Sequence, residues 1–189
     1  RFDECWIPDE EGALNYAGIL SHPQRLPSIP IKYTGTLSRL EKKSVAEQKD
    51  HLLIILSGPE PQRSLLENNI IKQIADYPGT ATLIRGLPAA TTVLPFSKTI
   101  TFYNHLPVRE MNEEMAKAAW VICRSGYSSI MDLAVMKKKS ILIPTPGQTE
   151  QEYLACYLMY KQFAYCVNQK DFSLSQSIEK AKTFPYLIN

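Results

Sequence analysis

A chain of 189 residues is long enough to bury a core without disulfides or a structural metal. Hydrophobic residues make up 44% of the chain and charged residues 21%, a composition that excludes disordered and collagen-like proteins. The formal net charge of +2 is too small to indicate a nucleic-acid partner, and the sequence has no apolar run of the roughly 18 residues that a membrane-spanning helix needs.

The first thirty residues are irregular and contain four prolines. They begin without a Met, at Arg1, and include one possible short strand at Cys5–Pro8. Proline-rich, aperiodic sequence is typical of linkers. We therefore expect residues 1–30 to be the end of a preceding domain together with a linker, and residues 31–189 to form a second domain.

From there on, apolar runs alternate with segments of helical periodicity. The run at 51–56 is continuous, as in a strand that is buried on both faces. The pattern predicts strands at 51–56, 80–84, 98–103, 120–123, 140–143 and 165–167. It predicts helices through Leu65–Ile74, from Asn112 onward, and at 126–136, 149–163 and 175–182.

Alternating strands and helices of this kind predict an α/β fold with a doubly wound, Rossmann-like parallel sheet. Ligands of such sheets bind beyond the carboxyl ends of the strands. The loops that we expect to form a binding site are therefore 57–61, 104–111, 124–129 and 144–151.

The loop after the first buried strand begins Ser57-Gly58-Pro59 and leads into a helix. Amide groups at such a helix start can bind a phosphate. The loop matches neither the dinucleotide-binding nor the P-loop pattern, however, and its two prolines remove two donors. A tight strand-to-helix turn without a ligand is the alternative interpretation.

The loop after the 120–123 strand is richer in groups that bind anions. Gly126 permits close approach of a ligand, the neighbouring hydroxyl and amide groups suit a diphosphate, and Arg124 adds a cation. Asp132 lies about one turn into the following helix. Its carboxylate either binds the two hydroxyls of a ribose or caps the helix start, and the spacing leaves both interpretations open.

Two further features concern metals and the loop at 144–151. The four cysteines lack the spacing of a zinc site, and the sequence has no Asp-x-Asp, so we expect no metal, no other cofactor and a reduced, cytoplasmic protein. Gln151 and Glu152 are suited to binding sugar hydroxyls. Glu152 also stands three residues after Thr149, which predicts a capping box.

Segments 114–116, 123–134, 139–144 and 151–155 resemble the C-terminal domain of glycosyltransferase family 28. The resemblance runs from residue 32 to residue 164 and is strongest over 108–155. Members of this family have the two-domain GT-B architecture, with an N-terminal acceptor domain and a C-terminal domain that binds the nucleotide-sugar donor. The resemblance implies that this chain is the donor-binding half, preceded at 1–30 by the end of the acceptor domain.

The resemblance also assigns roles to single positions. Asp132 stands where the family has a Glu that binds the ribose hydroxyls, and Val108 where a loop presents backbone groups to uracil. Arg39 matches an Arg near the diphosphate, and Gln151 and Glu152 match two glutamines that bind the donor sugar. With the loop motifs, the candidate donor-binding residues are Arg39, Ser57, Gly58, Val108, Arg124, Ser125, Gly126, Tyr127, Ser128, Asp132, Gln151 and Glu152.

The chemistry implied is an inverting, metal-independent transfer of a sugar resembling N-acetylglucosamine from a UDP-sugar to an acceptor. The catalytic base is expected in the acceptor domain, so this chain alone is expected to be inactive. The expected partners are the UDP-sugar and that domain, with no nucleic acid and no membrane contact through this chain. Two alternatives stay open: a non-catalytic subunit that binds a nucleotide or sugar, and a nucleotide-sugar epimerase domain.

Overall fold

The computed structural model describes residues 2–43, 45–91 and 97–188. Residues 1 and 189, at the ends of the two expected domains, therefore lie outside it, as do 44 and 92–96. The main sheet is six-stranded and parallel throughout. Its strands are β3 (His51–Ile55), β4 (Thr80–Ile84), β5 (Ile100–Tyr103), β6 (Trp120–Cys123), β7 (Ser140–Leu142) and β8 (Tyr165–Cys166). The predicted α/β fold class is confirmed.

In the described residues, five α-helices connect and cover these strands. They are α1 (Gln62–Ile74), α2 (Val108–Lys117), α3 (Tyr127–Met136), α4 (Thr149–Tyr160) and α5 (Leu174–Thr183). Helices α1 and α5 pack on one face of the sheet, and α2, α3 and α4 pack on the other. In the described parts of the chain, no helix is both long and apolar enough to cross a membrane.

The continuous apolar runs are explained by burial on both faces. Leu52 and Ile54 of β3 belong to the core beneath α1 and α5, whereas Leu53 belongs to the core beneath α2, α3 and α4. All three side chains are fully buried. Because neighbouring residues of a strand point to opposite faces, a strand covered on both sides needs an apolar residue at every position.

The strand order is β5-β4-β3-β6-β7-β8. The chain builds the sheet outward from β3 to β5 and then returns to place β6 on the other side of β3. Ile55 at the end of β3 pairs with Cys123 at the end of β6. The carboxyl ends of these two central strands therefore form the switch point, where doubly wound sheets leave a crevice for a ligand.

The start predicted for α2 is wrong. This helix begins at Val108, after Pro107 in an extended conformation, and not at Asn112. Asn112 is buried within the helix, and its side-chain oxygen accepts the backbone N–H of Glu41 at 2.9 Å. A polar residue that resembles a helix cap in the sequence is used here for a contact between distant segments.

The N-terminal segment forms a small unit of its own. Strands β1 (Cys5–Ile7) and β2 (Ile31–Tyr33) pair in parallel as a separate two-stranded sheet. The fully buried Asp9 carboxylate accepts the backbone N–H groups of Tyr16 and Ala17 and thereby folds the intervening loop. The segment is held against α4, where the Tyr157 hydroxyl donates to the side-chain oxygen of Asn15.

A buried polar cluster ties α2 to the amino ends of β3 and β4. Glu114 Oε2 lies 3.8 Å from His51 Nε2 and accepts the Thr82 hydroxyl at 2.8 Å, while Oε1 lies 2.9 Å from Lys117 Nζ. The interactions of Glu114 with the His51 ring, Lys117 and Thr82 lower its pKa by more than burial raises it. The pKa of Glu114 therefore falls from 4.5 to about 2.

This lowered pKa predicts how the folded chain responds to acid. Because the carboxylate is favoured in the folded state, its stabilising effect is complete above pH 4.5 and is lost as the pH falls towards 2. We expect Glu114→Gln to reduce the loss of unfolding free energy between pH 4.5 and about 2, measured by chemical denaturation at a series of pH values. Glu113→Gln, a change at the more exposed neighbouring position, serves as the control. An unchanged acid-induced loss in Glu114→Gln would contradict the assignment.

Candidate functional site

A cavity of about 500 Å³ opens at the switch point of the sheet. Ile55 and Cys123 form its floor, and Met111 and Met115 of α2 form an apolar wall. Its polar groups come from Ser128, Ser129 and Asp132 of α3 and from Ser38 and Arg39. A cavity of this size, largely apolar and with a few convergent polar groups, is typical of a small-molecule site.

The start of α3 faces this cavity with its amide groups free. Among the described residues, no side chain caps the helix, its first turn holds no acid, and the N–H groups of Tyr127, Ser128 and Ser129 have no partner. A Cβ atom built on Gly126 would meet nothing within 4 Å, so the space before the helix is open. Free amide donors at the positive end of a helix dipole form a site for an anion.

The start of α1, after the Ser57-Gly58-Pro59 loop, is occupied by the protein itself. Glu60 Oε2 accepts the backbone N–H of Ser64 at 3.1 Å, and Oε1 accepts Arg63 Nε at 2.6 Å. Hydrogen bonds from Ser64 and Arg63 lower the pKa of Glu60, so the group is an anion. A carboxylate therefore already takes the place at α1 that a phosphate would need.

Ser57 and Gly58 lie on the same edge of the sheet but not on the walls of the cavity. Gly58 has a φ of +100°, and a Cβ there would lie 3.4 Å from Thr145 Oγ1. A glycine is favoured because the turn needs a positive φ beside the β7 loop. These observations favour the tight-turn interpretation of this loop.

Asp132 points into the cavity and does not cap α3. The N-cap position belongs to Gly126, and Asp132 Oδ1 accepts the Ser38 hydroxyl at 2.6 Å. Its Oδ2 lies 4.0 Å from Nε of the largely exposed Arg39. Of the two interpretations that the spacing left open, helix capping is therefore excluded.

Arg124 lies behind the site rather than in it. Its side chain is 1% exposed and donates to the backbone oxygens of Ile143, Pro144 and Gln62 at 3.0–3.3 Å. Burial lowers the pKa of Arg124 to about 10. The guanidinium joins the ends of β6 and β7 to the start of α1, and it does not present its charge to the cavity.

The remaining polar candidates hold the loops around α3 together. Ser125 donates to the backbone oxygen of Gln151 at 2.8 Å, and Gln151 Oε1 accepts the Thr145 N–H at 3.0 Å. The Tyr127 hydroxyl donates to the backbone oxygen of Pro8, so this side chain turns away from the cavity. Tyr127 therefore contributes only its backbone N–H to the open start of α3.

Glu152 does not form the predicted capping box with Thr149. The N-cap of α4 is Gln148, and Glu152 Oε1 accepts the N–H of Gly147 at 3.0 Å. Glu152 lines a second cavity of about 450 Å³, beside Cys156 and Asp171. Val108, 44% exposed, begins the helix that forms the apolar wall.

The structure thus brings Arg39, Ser128 and Asp132 together on the lining of one cavity. Gly126 is the N-cap of the helix that carries Ser128 and Asp132. Ser38 and Ser129 also line this cavity, and sequence reasoning did not single them out. Ser129 follows Ser128 in the same motif, so the sequence could have indicated that it also lines the site. Ser38 is bonded to a residue 94 positions away, and no pattern in the sequence indicates this contact.

The sequence profile of the glycosyltransferase family 28 C-terminal domain matches residues 88–185, just over half of the chain. The chain belongs to this family. Among curated proteins it is similar to a UDP-N-acetylglucosamine–N-acetylmuramyl-(pentapeptide) pyrophosphoryl-undecaprenol N-acetylglucosamine transferase from Haemophilus ducreyi, with 28% identity over 140 residues. That match covers 71% of the chain and 39% of the relative, so the chain spans well under half the length of this protein.

Solved structures support the same fold. The glycosyltransferase of kitacinnamycin superposes with a TM-score of 0.61 at 13% identity, over 82% of this chain and 41% of that one. The MurG of Acinetobacter baumannii gives 0.55 at 16% identity, over 85% and 49%. The spinosyn rhamnosyltransferase SpnG, solved with thymidine diphosphate, gives 0.53 at 16% identity, over 72% and 38%. The family 28 chain thus has the fold of a GT-B C-terminal domain.

Proposed function

We propose that the cavity at the switch point binds the nucleoside diphosphate of a UDP-sugar, and that the chain is the donor-binding half of an inverting glycosyltransferase. The observation that carries the proposal is the uncapped start of α3 opening into a cavity that also contains Asp132. The family of the chain and the UDP-sugar in the name of its Haemophilus relative support the choice of nucleotide.

In this proposal the diphosphate binds the amide groups of residues 127–129, the hydroxyl of Ser128 and the exposed Arg39 guanidinium. The Asp132 carboxylate accepts the ribose hydroxyls. The nucleobase lies against the apolar wall formed by α2, the helix that begins at Val108. Gln151 and Glu152, one loop further along the sheet edge, are kept as candidates for the donor sugar, with N-acetylglucosamine as the sugar suggested by the relative's name.

We assign Arg124, Ser125 and the Ser57-Gly58 turn to positioning rather than to direct contact. The buried Arg124 holds the loop after β7 against the loop after β6, and Ser125 fixes that loop to α4. Both contacts hold Gly126 and the start of α3 in place. Donor groups fixed in advance stabilise a developing charge better than groups that must first reorganise.

The proposed reaction is a displacement at the anomeric carbon. An acceptor hydroxyl, deprotonated by a base of the preceding domain, forms the new C–O bond while the bond to the diphosphate breaks. UDP leaves with that electron pair, so negative charge grows on its phosphates. In this proposal the α3 amides and Arg39 stabilise this charge.

We also propose that residues 1–30 derive from the end of the acceptor domain and the linker. The parallel pair β1–β2, whose second strand lies just past this boundary at Ile31–Tyr33, supports this, because parallel strands normally belong to larger sheets that are covered on both faces. Trp6 of β1 is 61% exposed, as expected of a strand whose outer face another part of the protein covers.

Calorimetric titration of the chain with UDP, GDP and dTDP tests the proposal. We expect saturable binding of UDP and a weakening of about 1–3 kcal/mol in Asp132→Ala, because the ribose hydroxyls lose their acceptor. Asp76→Ala, at an exposed position just after the end of α1, is the matched control and should bind UDP normally. Equal affinities of Asp132→Ala and the unaltered chain, or no saturable nucleotide binding at all, would contradict the proposal.

A further inference from the structure

We propose that Ser38 is a second ribose-binding residue, which acts beside Asp132 and makes the site selective for ribonucleotides over deoxyribonucleotides. This inference rests on the proposed function, because it concerns the sugar of the nucleotide bound in the same cavity. It adds to the site a residue from the segment 37–41, which precedes the six-stranded sheet.

The hydrogen bonds of Ser38 leave it one free acceptor position. Its hydroxyl donates its only hydrogen to Asp132 Oδ1 at 2.6 Å and accepts the Leu40 N–H at 2.9 Å. A serine hydroxyl has one donor and two acceptor lone pairs. One lone pair therefore remains on the hydroxyl of a residue that lines the cavity.

Asp132 has a free acceptor beside it. Within the described residues Oδ2 accepts no hydrogen bond, since the nearest cation, Arg39 Nε, lies 4.0 Å away. The site thus presents two acceptors, Asp132 Oδ2 and Ser38 Oγ, on side chains that the hydrogen bond from Ser38 Oγ to Asp132 Oδ1 holds together. A ribose offers two neighbouring hydroxyl donors, whereas a deoxyribose offers one.

The segment that carries Ser38 is fixed before any ligand binds. Leu40 is 3% exposed, and the Glu41 N–H donates to Asn112 of α2 at 2.9 Å. Ser38 is thereby linked to both walls of the cavity, α3 through Asp132 and α2 through Asn112. Since the acceptor is placed in advance, little ordering is required when a ribose binds.

Other roles for Ser38 in this contact predict different results. If Ser38 only blocked Oδ1, a ribose hydroxyl would have to displace it, and removing the serine would strengthen binding. If Ser38 only oriented Asp132, its removal would weaken the recognition of both hydroxyls together. A direct acceptor role predicts the loss of recognition of one hydroxyl alone.

The test is calorimetric titration of the chain with UDP, 2′-deoxy-UDP and 3′-deoxy-UDP. We expect UDP to bind about tenfold more tightly than either analogue, because each missing hydroxyl leaves an acceptor without its partner. In Ser38→Ala, one of the two preferences should fall to within about threefold while the other persists. Ser38→Thr, which keeps the hydroxyl, should retain both, and Ser175→Ala, at an exposed position of α5, should behave as the unaltered chain.

Three results overturn the inference: both preferences unchanged in Ser38→Ala, both lost together, or tighter binding of all three nucleotides. Each of these leaves the proposed function intact, because UDP still binds. The absence of saturable UDP binding in the unaltered chain is a distinct result that removes the proposed function itself.

Discussion

Gly126→Asp should abolish UDP binding while the fold remains at least as stable as before. Gly126 has extended backbone angles at the N-cap of α3, where Asp is a preferred residue, and a side chain there meets nothing within 4 Å. The new carboxylate would accept the free amides of Ser128 and Ser129. The site would then repeat the arrangement at α1, where Glu60 already occupies the helix start.

Two opposite effects are expected from this one change. Capping and the helix dipole should stabilise the chain by a few tenths to about 1 kcal/mol in chemical denaturation. The affinity for UDP should fall by roughly 100-fold or more, because the amides are filled and the two anions repel each other. Gly126→Ala fits the same open space without a charge and should bind UDP within about threefold of normal. Normal UDP binding by Gly126→Asp would exclude the α3 start as the diphosphate site.

Arg124→Met should destabilise the chain by about 2–3 kcal/mol, the largest effect on folding that we expect of any candidate residue. The change leaves three backbone oxygens, those of Ile143, Pro144 and Gln62, without this donor. Each buried carbonyl without a partner costs about 1–3 kcal/mol, and this cost is partly offset because a guanidinium no longer has to be buried.

Chemical denaturation measures this effect, with Arg109→Met as the matched control. Arg109 is an exposed residue of α2 whose only described ion-pair contact, with Glu113, is 3.6 Å long, so its replacement should change stability by less than about 0.5 kcal/mol. If Arg124→Met were as stable as Arg109→Met, the three carbonyl contacts would not hold the loops in place, and the positioning role of Arg124 would be wrong.

The sheet was largely predictable because burial on both faces leaves a direct signal. The apolar runs at 51–56, 120–123 and 140–143 became β3, β6 and β7, within one residue at each end. Ligands of such sheets bind beyond the carboxyl ends of the strands, and this rule then indicated the loops that surround the cavity. Of the pair β1–β2 only β1 was anticipated, because β2 is three residues long and none of its residues is fully buried.

The features that the sequence did not reveal concern polar residues whose partners are distant in the chain. Asn112 has the composition of a helix cap, but it accepts the N–H of Glu41, 71 positions away. Arg124 belongs to a residue type that is seldom buried, and only the folded chain shows the three carbonyls that surround it. Asp132 does not cap α3, because that helix begins at Tyr127. The spacing of residues in a sequence does not fix a helix start to within one residue, so it could not decide this point.

Amide chemical-shift mapping of the isotope-labelled chain during titration with UDP tests the central claim most directly. The account predicts saturable shifts that are largest at Tyr127, Ser128 and Ser129, with the amides of Ser64 and Leu65 at the start of α1 unchanged. Shifts confined to the start of α1, or saturation with UDP that leaves the α3 amides unmoved, would contradict it.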